Sequence, residues 1–458
     1  MALTNYSRRI EIPVPAAEVF AWHTRRGAFE RLIPPWEPVE IVEWSGGIRD
    51  GARAVLRVKG PGPISVRWVA EHRDYLDGRQ FRDVQTVGPF KHWVHTHRVE
   101  PTGDSSCTLE DAVEYSLPLG RLGGLFKGNI RARLDRLFEF RQAVTRADNI
   151  ELHRYVDRPR QRILISGATG LVGKQLSSFL QAGGHDVWSL VRSKSGGANT
   201  VPWDPASGKL EASQLEGFDA VIHLAGESIA SGRWTTAKKS RILRSRIDST
   251  RLIADRLSKL TRPPRTWLIA SAIGFYGNAG STLLTEHSAS GAGFLADVCR
   301  QWESAADAAT GRGIRIANLR FGVILTPAGG ALKQMLPPFK MGVGGRLGSG
   351  TQYMSWIALD DVIGAIHHTL MHDELVGPVN IVAPESVTNL EFTAAMGQVL
   401  HRPTIFPVPA KGAQLALGEM ADELLLASQR VQPERLQETG YDFRYPQLPG
   451  ALRHLLGT

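Results

Sequence analysis

The stretch "ILISGATGLVGKQL", residues 163–176, constrains this chain more than any other. An apolar strand runs into Gly167, and Gly170 and Gly173 follow at intervals of three. A helix-forming segment comes next, with Leu176 and Phe179 placed to face inward. Gly167 lets the chain turn sharply, Gly170 lets backbone approach a pyrophosphate, and Gly173 lets helix and strand pack closely. The helix start offers N–H groups and a positive dipole end to phosphate. The candidate cofactor-binding residues are Gly167, Ala168, Thr169, Gly170, Leu171, Val172 and Gly173. The competing reading is a plain tight turn.

The surroundings favour a ligand. From Arg162 on, short apolar strands alternate with helices: "RILIS", "DVWSLV", "AVIHLA", "TWLIASA" and "RIANLRFGVIL". That alternation predicts an α/β Rossmann fold, a doubly wound parallel sheet with helices on both faces. Arg192 follows the second strand, with Ser193 and Lys194 beside it. An acidic residue there would bind the ribose hydroxyls of NAD, whereas an arginine suits the 2′-phosphate of NADP. The expected cofactor is therefore NADP(H) rather than NAD(H), unless Arg192 is simply a surface cation.

The first 150 residues have a different rhythm. "YSRRIEIPV", "VEIVEW", "ARAVLRVK", "ISVRWVAEHR", "QFRDVQTV", "KHWVHTHRVE" and "CTLEDAVEYSL" each show period-two character. Gly46-Gly47, Pro61-Gly62-Pro63 and Asp77-Gly78 punctuate them as turns. A helical segment, "AAEVFAWHTRRGAFERLI", follows Pro15, and a longer helix is expected from Lys127 to about Asn149. This order predicts an α+β helix-grip domain, a curved antiparallel sheet gripping its last helix. It resembles the START-like, or SRPBCC, superfamily, whose members enclose an apolar ligand between sheet and helix. The organisation read from the sequence is then residues 1–150, a linker at 151–161 and the Rossmann domain at 162–400.

The GxxGxxG spacing resembles the extended short-chain dehydrogenase/reductase family. "AVIHLAGES" (220–228) is similar to that family's fourth-strand segment, where Leu224, Ala225 and Gly226 would line the adenosine side of the cofactor. "IASAIGFYG" (269–277) resembles the fifth-strand motif with the active-site serine, here Ser271, and "WIALDDVIGAI" (356–366) resembles the family's aspartate helix. The resemblance implies a Tyr-x-x-x-Lys pair on the following helix, tyrosine exchanging a proton and lysine lowering its pKa. Counted back from Glu303, the tyrosine position holds Leu295 and the lysine position holds Cys299. The family's asparagine on the preceding helix is replaced by Arg246.

This set of departures resembles an atypical subgroup labelled NAD-dependent epimerase/dehydratase-like oxidoreductases. "GRWTTAKKSRILRSRI" and "GGALKQMLPPFKMGVGGRLGSGTQYMSWI" match it as well, and the tail "RVQPERLQETGYDFRYP" resembles the subgroup's small C-terminal helical module, expected at 401–458. Candidate catalytic residues are Ser271 as orienting hydroxyl, Tyr276 as a replacement proton donor, and Cys299 activated by a nearby Arg246. Each has a bland alternative: a satisfied strand-end hydroxyl, a packing tyrosine and a small buried helix residue. Glu227, Arg233 and Trp234 are weaker candidates for substrate contact, and the glycine-rich run 341–356 reads as a loop able to close over a ligand.

Two function classes stay open: an oxidoreductase or epimerase with an unconventional proton route, and a non-catalytic NADP(H) sensor or ligand-binding scaffold. The partners expected are a small-molecule substrate and an apolar ligand of the first domain. The net charge of +9 raises nucleic acid as a third, but the cations are spread along the chain, so none is expected. No apolar run is long enough for a membrane span, and no secretory leader is evident. With only Cys107 and Cys299, no disulfide framework is expected and a reducing cytoplasm fits. "HWVHTH" (92–97) invites a metal reading. His95 and His97 share a strand face, but no nearby carboxylate in the sequence completes a tight set, so no metal is expected.

Overall fold

The computed structural model describes residues 3–59, 65–118, 127–192, 197–230 and 232–458. The Pro61-Gly62-Pro63 turn and the pair Ser193–Lys194 lie outside them. The chain divides into two compact units, the first built around residues 1–159 and the second around Arg160–Leu456.

The first unit contains β1 (Thr4–Ile12), α1 (Ala16–Thr24), α2 (Ala28–Arg31), β2 (Val39–Trp44), β3 (Arg53–Lys59), β4 (Ser65–Leu76), β5 (Gln80–Val87), β6 (His92–Gly103), β7 (Ser106–Ser116) and α3 (Lys127–His153). Among the described residues the strands form one antiparallel sheet in the order β1-β7-β6-β5-β4-β3-β2. Register shifts at Ile41/Glu43 and Val69/Ala70 bend it, as bulges do. The concave face receives α3, whose Leu134 and Phe138 pack on Tyr6, Trp93, Val113 and Tyr115. α3 runs four residues past the expected Asn149, because Ile150–His153 continue its hydrogen-bond ladder. Arg31 of α2 grips Asp148 of α3 through two bonds of 2.8 and 3.0 Å, both side chains buried. Breaking such a buried pair from one side typically costs about 3–5 kcal/mol.

The second unit starts with β8 (Arg162–Ser166), α4 (Leu171–Ala182), β9 (Asp186–Val191), β10 (Thr200–Pro202), β11 (Ala220–His223), α5 (Thr236–Leu257) and β12 (Thr266–Ala272). It continues through β13 (Leu283–Leu284), α6 (Phe294–Ser304), β14 (Arg315–Phe321), β15 (Val323–Leu325), α7 (Gly330–Lys340), β16 (Tyr353–Met354), β17 (Trp356–Ala358), α8 (Leu359–Met371) and β18 (Gly377–Ile381). β19 (Val387–Thr388), α9 (Asn389–Leu400), α10 (Ala410–Leu417), α11 (Glu419–Ala421), β20 (Arg430–Val431), α12 (Glu434–Glu438) and α13 (Leu448–Leu456) complete it.

The main sheet is parallel, in the order β10-β9-β8-β11-β12-β14-β18. Its central strands are apolar throughout: Ile163, Leu164 and Ile165 of β8 are fully buried, as sheets covered on both faces require. Strand order reverses between β8 and β11, which opens a crevice at their carboxyl ends. The expected single strand "RIANLRFGVIL" is two. At Gly322 the chain leaves the sheet, and Val323 donates to Ser355 O so that β15 pairs with β17 instead. The "WIALDDVIGAI" segment forms β17 and α8, with Asp361 fully buried. Its carboxylate accepts from the backbone N–H groups of Arg444 and Tyr445. The chain's last helix joins the same core: Leu448, Leu452 and Leu455 pack with Phe339, Trp356 and Phe392.

Candidate functional site

The glycine turn sits in the crevice between β8 and β11. Gly167 has φ 72°, and a Cβ there would lie 2.9 Å from the amide nitrogen of Ala225 and the carbonyl carbon of Leu224. A Cβ on Gly173 would lie 2.2 Å from Gly167 O. Only glycine allows the turn to press against the 224–225 backbone and α4 to press against the turn. The first intrahelical bond runs from Lys174 N to Gly170 O, so the N–H groups of Leu171, Val172 and Gly173 stay outside the helix's own ladder. Ala168 and Thr169 form the bend between, and Arg192 is exposed just past β9. The elements that would touch a dinucleotide are thus assembled, and the cradle is shaped by atoms a side chain would displace.

A buried polar chain that sequence reading missed fixes the far wall. Ser249 Oγ donates to Ser245 O at 2.7 Å, so it accepts from His223 Nε2 at 3.0 Å. His223 Nδ1 then carries a lone pair and accepts from Ser166 Oγ at 2.5 Å. Ser166 Oγ in turn accepts from the N–H groups of Leu224 and Ala225 at 3.2 and 3.3 Å. Every group is satisfied only if His223 is neutral. Burial, with the nearby Arg246 charge, pushes its pKa down to about 3. Ser166 and His223 are partners in the β8–β11 ladder, a relation that sequence spacing does not show.

Arg246 lies under Gly226: a Cβ there would stand 3.3 Å from the guanidinium carbon. Its Nη1 donates to the carbonyls of Glu227 and Ile242, both at 3.0 Å, and the guanidinium sits over Trp302. Glu227 is paired with Lys238 at 2.7 Å, Trp234 Nε1 donates to Ile229 O, and Arg233 donates to Leu415 O. The 341–356 run is pinned where it passes the 405–408 segment, with Val408 N bonded to Arg346 O and Gly348 N to Val408 O. Those backbone bridges anchor its middle.

The catalytic candidates cluster at the carboxyl ends of β12 and β14. Ser271 Oγ donates to Glu303 Oε1 at 2.7 Å. Arg320, which the sequence reading did not single out, holds both oxygens of Glu303 at 2.9 and 2.8 Å. It also donates to the Tyr276 hydroxyl at 3.0 Å, and that hydroxyl donates to Asn380 Oδ1 at 2.7 Å. Burial raises the Tyr276 pKa, while Arg320 pulls the other way. Leu295 and Cys299 are buried on α6, facing Gly274. Burial, reinforced by Glu303, pushes the Cys299 thiol up to about 11, with Arg246 only partly opposing. Near neutral pH Cys299 is a thiol and donates weakly to Ala272 O at 3.6 Å.

The first unit encloses a cavity of about 580 Å³ with mainly apolar walls. Trp44, Trp68 and Trp93 line it, while Trp22 lies in the core. His72, Asp83, His95 and His97 also line it. The expectation that no carboxylate joins the histidines is overturned: Asp83 and Asp111 both lie within 3.5 Å of His95 and His97. They come from neighbouring strands, so the set appears only once β5, β6 and β7 are in register. His92 points the other way and meets Glu114 at the surface.

Comparison with known proteins places these features among relatives. Residues 163–382 match the model of the NAD dependent epimerase/dehydratase family. Residues 12–138 match that of polyketide cyclase / dehydrase and lipid transport, and residues 408–455 match a domain of unknown function, DUF1731. Epimerase family protein Mb2239 of Mycobacterium bovis is 40% identical over 290 residues, which are 63% of this chain and 96% of that protein. The crystal structure of the nucleoside-diphosphate sugar epimerase from Corynebacterium glutamicum is similar over 99% of this chain and 90% of its own, at 33% identity and a TM-score of 0.80. The crystal structure of human epimerase family protein SDR39U1 with NADPH matches 64% of this chain and 99% of its own, at 34% identity and a TM-score of 0.60.

Proposed function

The chain belongs to the epimerase family that includes Mb2239 and human SDR39U1, and from that premise we propose that its second unit is an NADP(H)-dependent oxidoreductase or epimerase of atypical short-chain type. The observation that carries this reading is the cradle at 167–173, where added Cβ atoms would fill the space against Leu224, Ala225 and Gly167. Leu171, Val172 and Gly173 would hold the pyrophosphate by their N–H groups, and Leu224, Ala225 and Gly226 would line the adenosine side. Arg192 would meet the 2′-phosphate. The NADPH in the human relative's structure supports that choice. Bound there, NADP(H) supplies reversible two-electron hydride exchange with a carbonyl or alcohol carbon.

The chain's own residues set what approaches. Ser271 has one hydroxyl proton and gives it to Glu303, so it presents lone pairs to a ligand. It would orient a substrate hydroxyl by accepting from it. Arg320 keeps Glu303 in place for that task. The first unit's cavity, with its tryptophan-lined wall, suits an apolar small molecule.

A second reading rests on one observation: the positions that the resemblance gives to the tyrosine–lysine pair hold buried Leu295 and an un-ionised Cys299. It makes the unit an NADP(H) sensor without turnover. Calorimetric titration with NADPH and NADH, followed by a panel of carbonyls and alcohols, distinguishes the two. NADPH oxidation that is lost in Ser271→Ala supports the enzyme. Tight NADPH binding with no turnover of any panel member supports the sensor. No heat with either nucleotide rejects both. Arg192→Ala should weaken NADPH about tenfold or more, the loss expected for one charge-assisted contact, while leaving NADH unchanged.

A further inference from the structure

The wall of the first unit's cavity gathers groups that the nucleotide chemistry does not use. Asp83 faces His95 across the β5–β6 ladder, and His97 faces Asp111 across β6–β7. Asp83 Oδ2 lies 3.5 Å from His95 Nδ1 and 3.3 Å from His97 Nε2. Among the described residues, Asp83, His95 and His97 each offer one ligand atom, all within 4.8 Å of one another. Metal bonds of roughly 2.0–2.2 Å place neighbouring ligand atoms about 3–3.6 Å apart, the spacing seen on both sides of Asp83.

Hydrogen-bond polarity argues the same way. Asp111 Oδ1 takes the opposite nitrogens, His95 Nε2 at 3.1 Å and His97 Nδ1 at 3.0 Å, the second lying off the hydrogen-bond line. A carboxylate only accepts, so His95 Nε2 carries a proton, and in the neutral ring its Nδ1 is a lone pair turned toward Asp83. His97 Nε2 is hydrogen-bonded to the same oxygen, Asp83 Oδ2, at 3.3 Å, and an ion bound there would take the place of its proton. The supports around this point are rigid. Gln142 donates to Asp111 Oδ2 at 2.8 Å, and His72 Nε2 lies 2.9 Å from Asp83 Oδ1, which leaves Oδ2 to face the imidazoles. Metal-binding histidines are typically held in this way, one nitrogen on the ion and the other on a carboxylate. The Arg141 guanidinium, on the cavity wall, meets the field of two carboxylates, Asp83 and Asp111.

We propose that Asp83 Oδ2, His95 Nδ1 and His97 Nε2 bind a divalent first-row transition-metal ion, whose remaining positions open into the apolar cavity. Two imidazoles and one carboxylate are a donor set for zinc, iron(II) or cobalt(II) rather than calcium or magnesium. The open positions would take an oxygen of an otherwise apolar ligand. Asp111 is a positioning residue that aims both rings from behind.

The test uses the full chain, free of any affinity tag and stripped with a chelator. Zn²⁺ is titrated by calorimetry and Co²⁺ by visible absorption, in the wild type and in His95→Ala, His97→Gln and Asp111→Asn. One ion per chain is expected, with a cobalt band of nitrogen-ligated character. His95→Ala and His97→Gln should lose the ion, and Asp111→Asn should bind it roughly 10–100-fold more weakly at unchanged stoichiometry. X-ray absorption on the zinc-loaded wild type, which depends on no variant's folding, should show imidazole scatterers. The proposal is overturned if the wild type takes up neither ion, if both histidine variants bind as the wild type does, or if the zinc shell holds no imidazole.

Discussion

Ser271 and Arg320 are register partners on the parallel strands β12 and β14, and Glu303 of α6 bonds to both. The serine therefore depends on an ion pair for its orientation, and the two partners should respond differently to deletion. Glu303→Ala strands the guanidinium of Arg320, whose side chain is 5% exposed, and should destabilise the chain by about 3–5 kcal/mol. Ser271→Ala leaves Glu303 with both arginine bonds and should cost only about 1 kcal/mol. Urea unfolding of the two variants measures the gap. Equal losses would mean that Ser271, not Arg320, is the group that needs the carboxylate.

Gly173→Ala tests the nucleotide cradle. The new methyl would stand 2.2 Å from Gly167 O and 2.8 Å from Ala168 Cα, so backbone must move. Overpacking of this kind costs about 1–3 kcal/mol, and here the displaced atoms are the ones offered to phosphate. NADPH affinity should fall at least tenfold, read by fluorescence, with far-ultraviolet dichroism unchanged. Gly170→Ala places its methyl 3.1 Å from the same oxygen and should be milder. A Gly173→Ala protein that binds NADPH normally would detach the turn from nucleotide binding.

Cys299 should be inert in the folded protein. Its thiol is buried and pushed up to about 11, so the reactive thiolate is scarce near neutral pH. Iodoacetamide should label neither Cys299 nor Cys107, also pushed up to about 11 by burial, until denaturant is added. Mass spectrometry of native and unfolded samples checks this. Rapid labelling of Cys299 in the native state would revive it as a nucleophile.

Acid should act on His223. Its pKa falls from 6.5 to about 3 on folding, so the fold favours the neutral ring. The unfolded chain binds the proton first, and the stabilisation present above pH 6.5 is lost as pH falls toward 3. This one group adds a slope of up to about 1.4 kcal/mol per pH unit across that window. His223→Asn should be less stable at neutral pH but lose less on acidification than the wild type. Parallel pH profiles for both proteins would contradict the neutral Ser166–His223–Ser249 chain.

Local features were legible in the sequence; those made by register were not. The cradle could be read because Gly167, Gly170 and Gly173 act on one another within a single turn. The period-two runs announced β1–β7 because alternation is a property of one strand. Asp83 and Asp111 escaped notice because they meet His95 and His97 only across ladders whose alignment is set by the whole sheet. Arg320 escaped for the same reason. The break at Gly322 was hidden because 315–325 is apolar enough to pass for one strand, and only the competing Ser355 carbonyl divides it.

The row formed by Ser271, Arg320 and Asn380 crosses β12, β14 and β18 one residue per strand. Its spacing is dictated by the backbone ladder, while Tyr276, in the connection after β12, ties Arg320 to Asn380. Connections without such a tether could be lengthened or exchanged while the ladder keeps the row's spacing. A row built this way separates a polar platform fixed by strand register from the loops above it, so variation in those loops need not rebuild the platform.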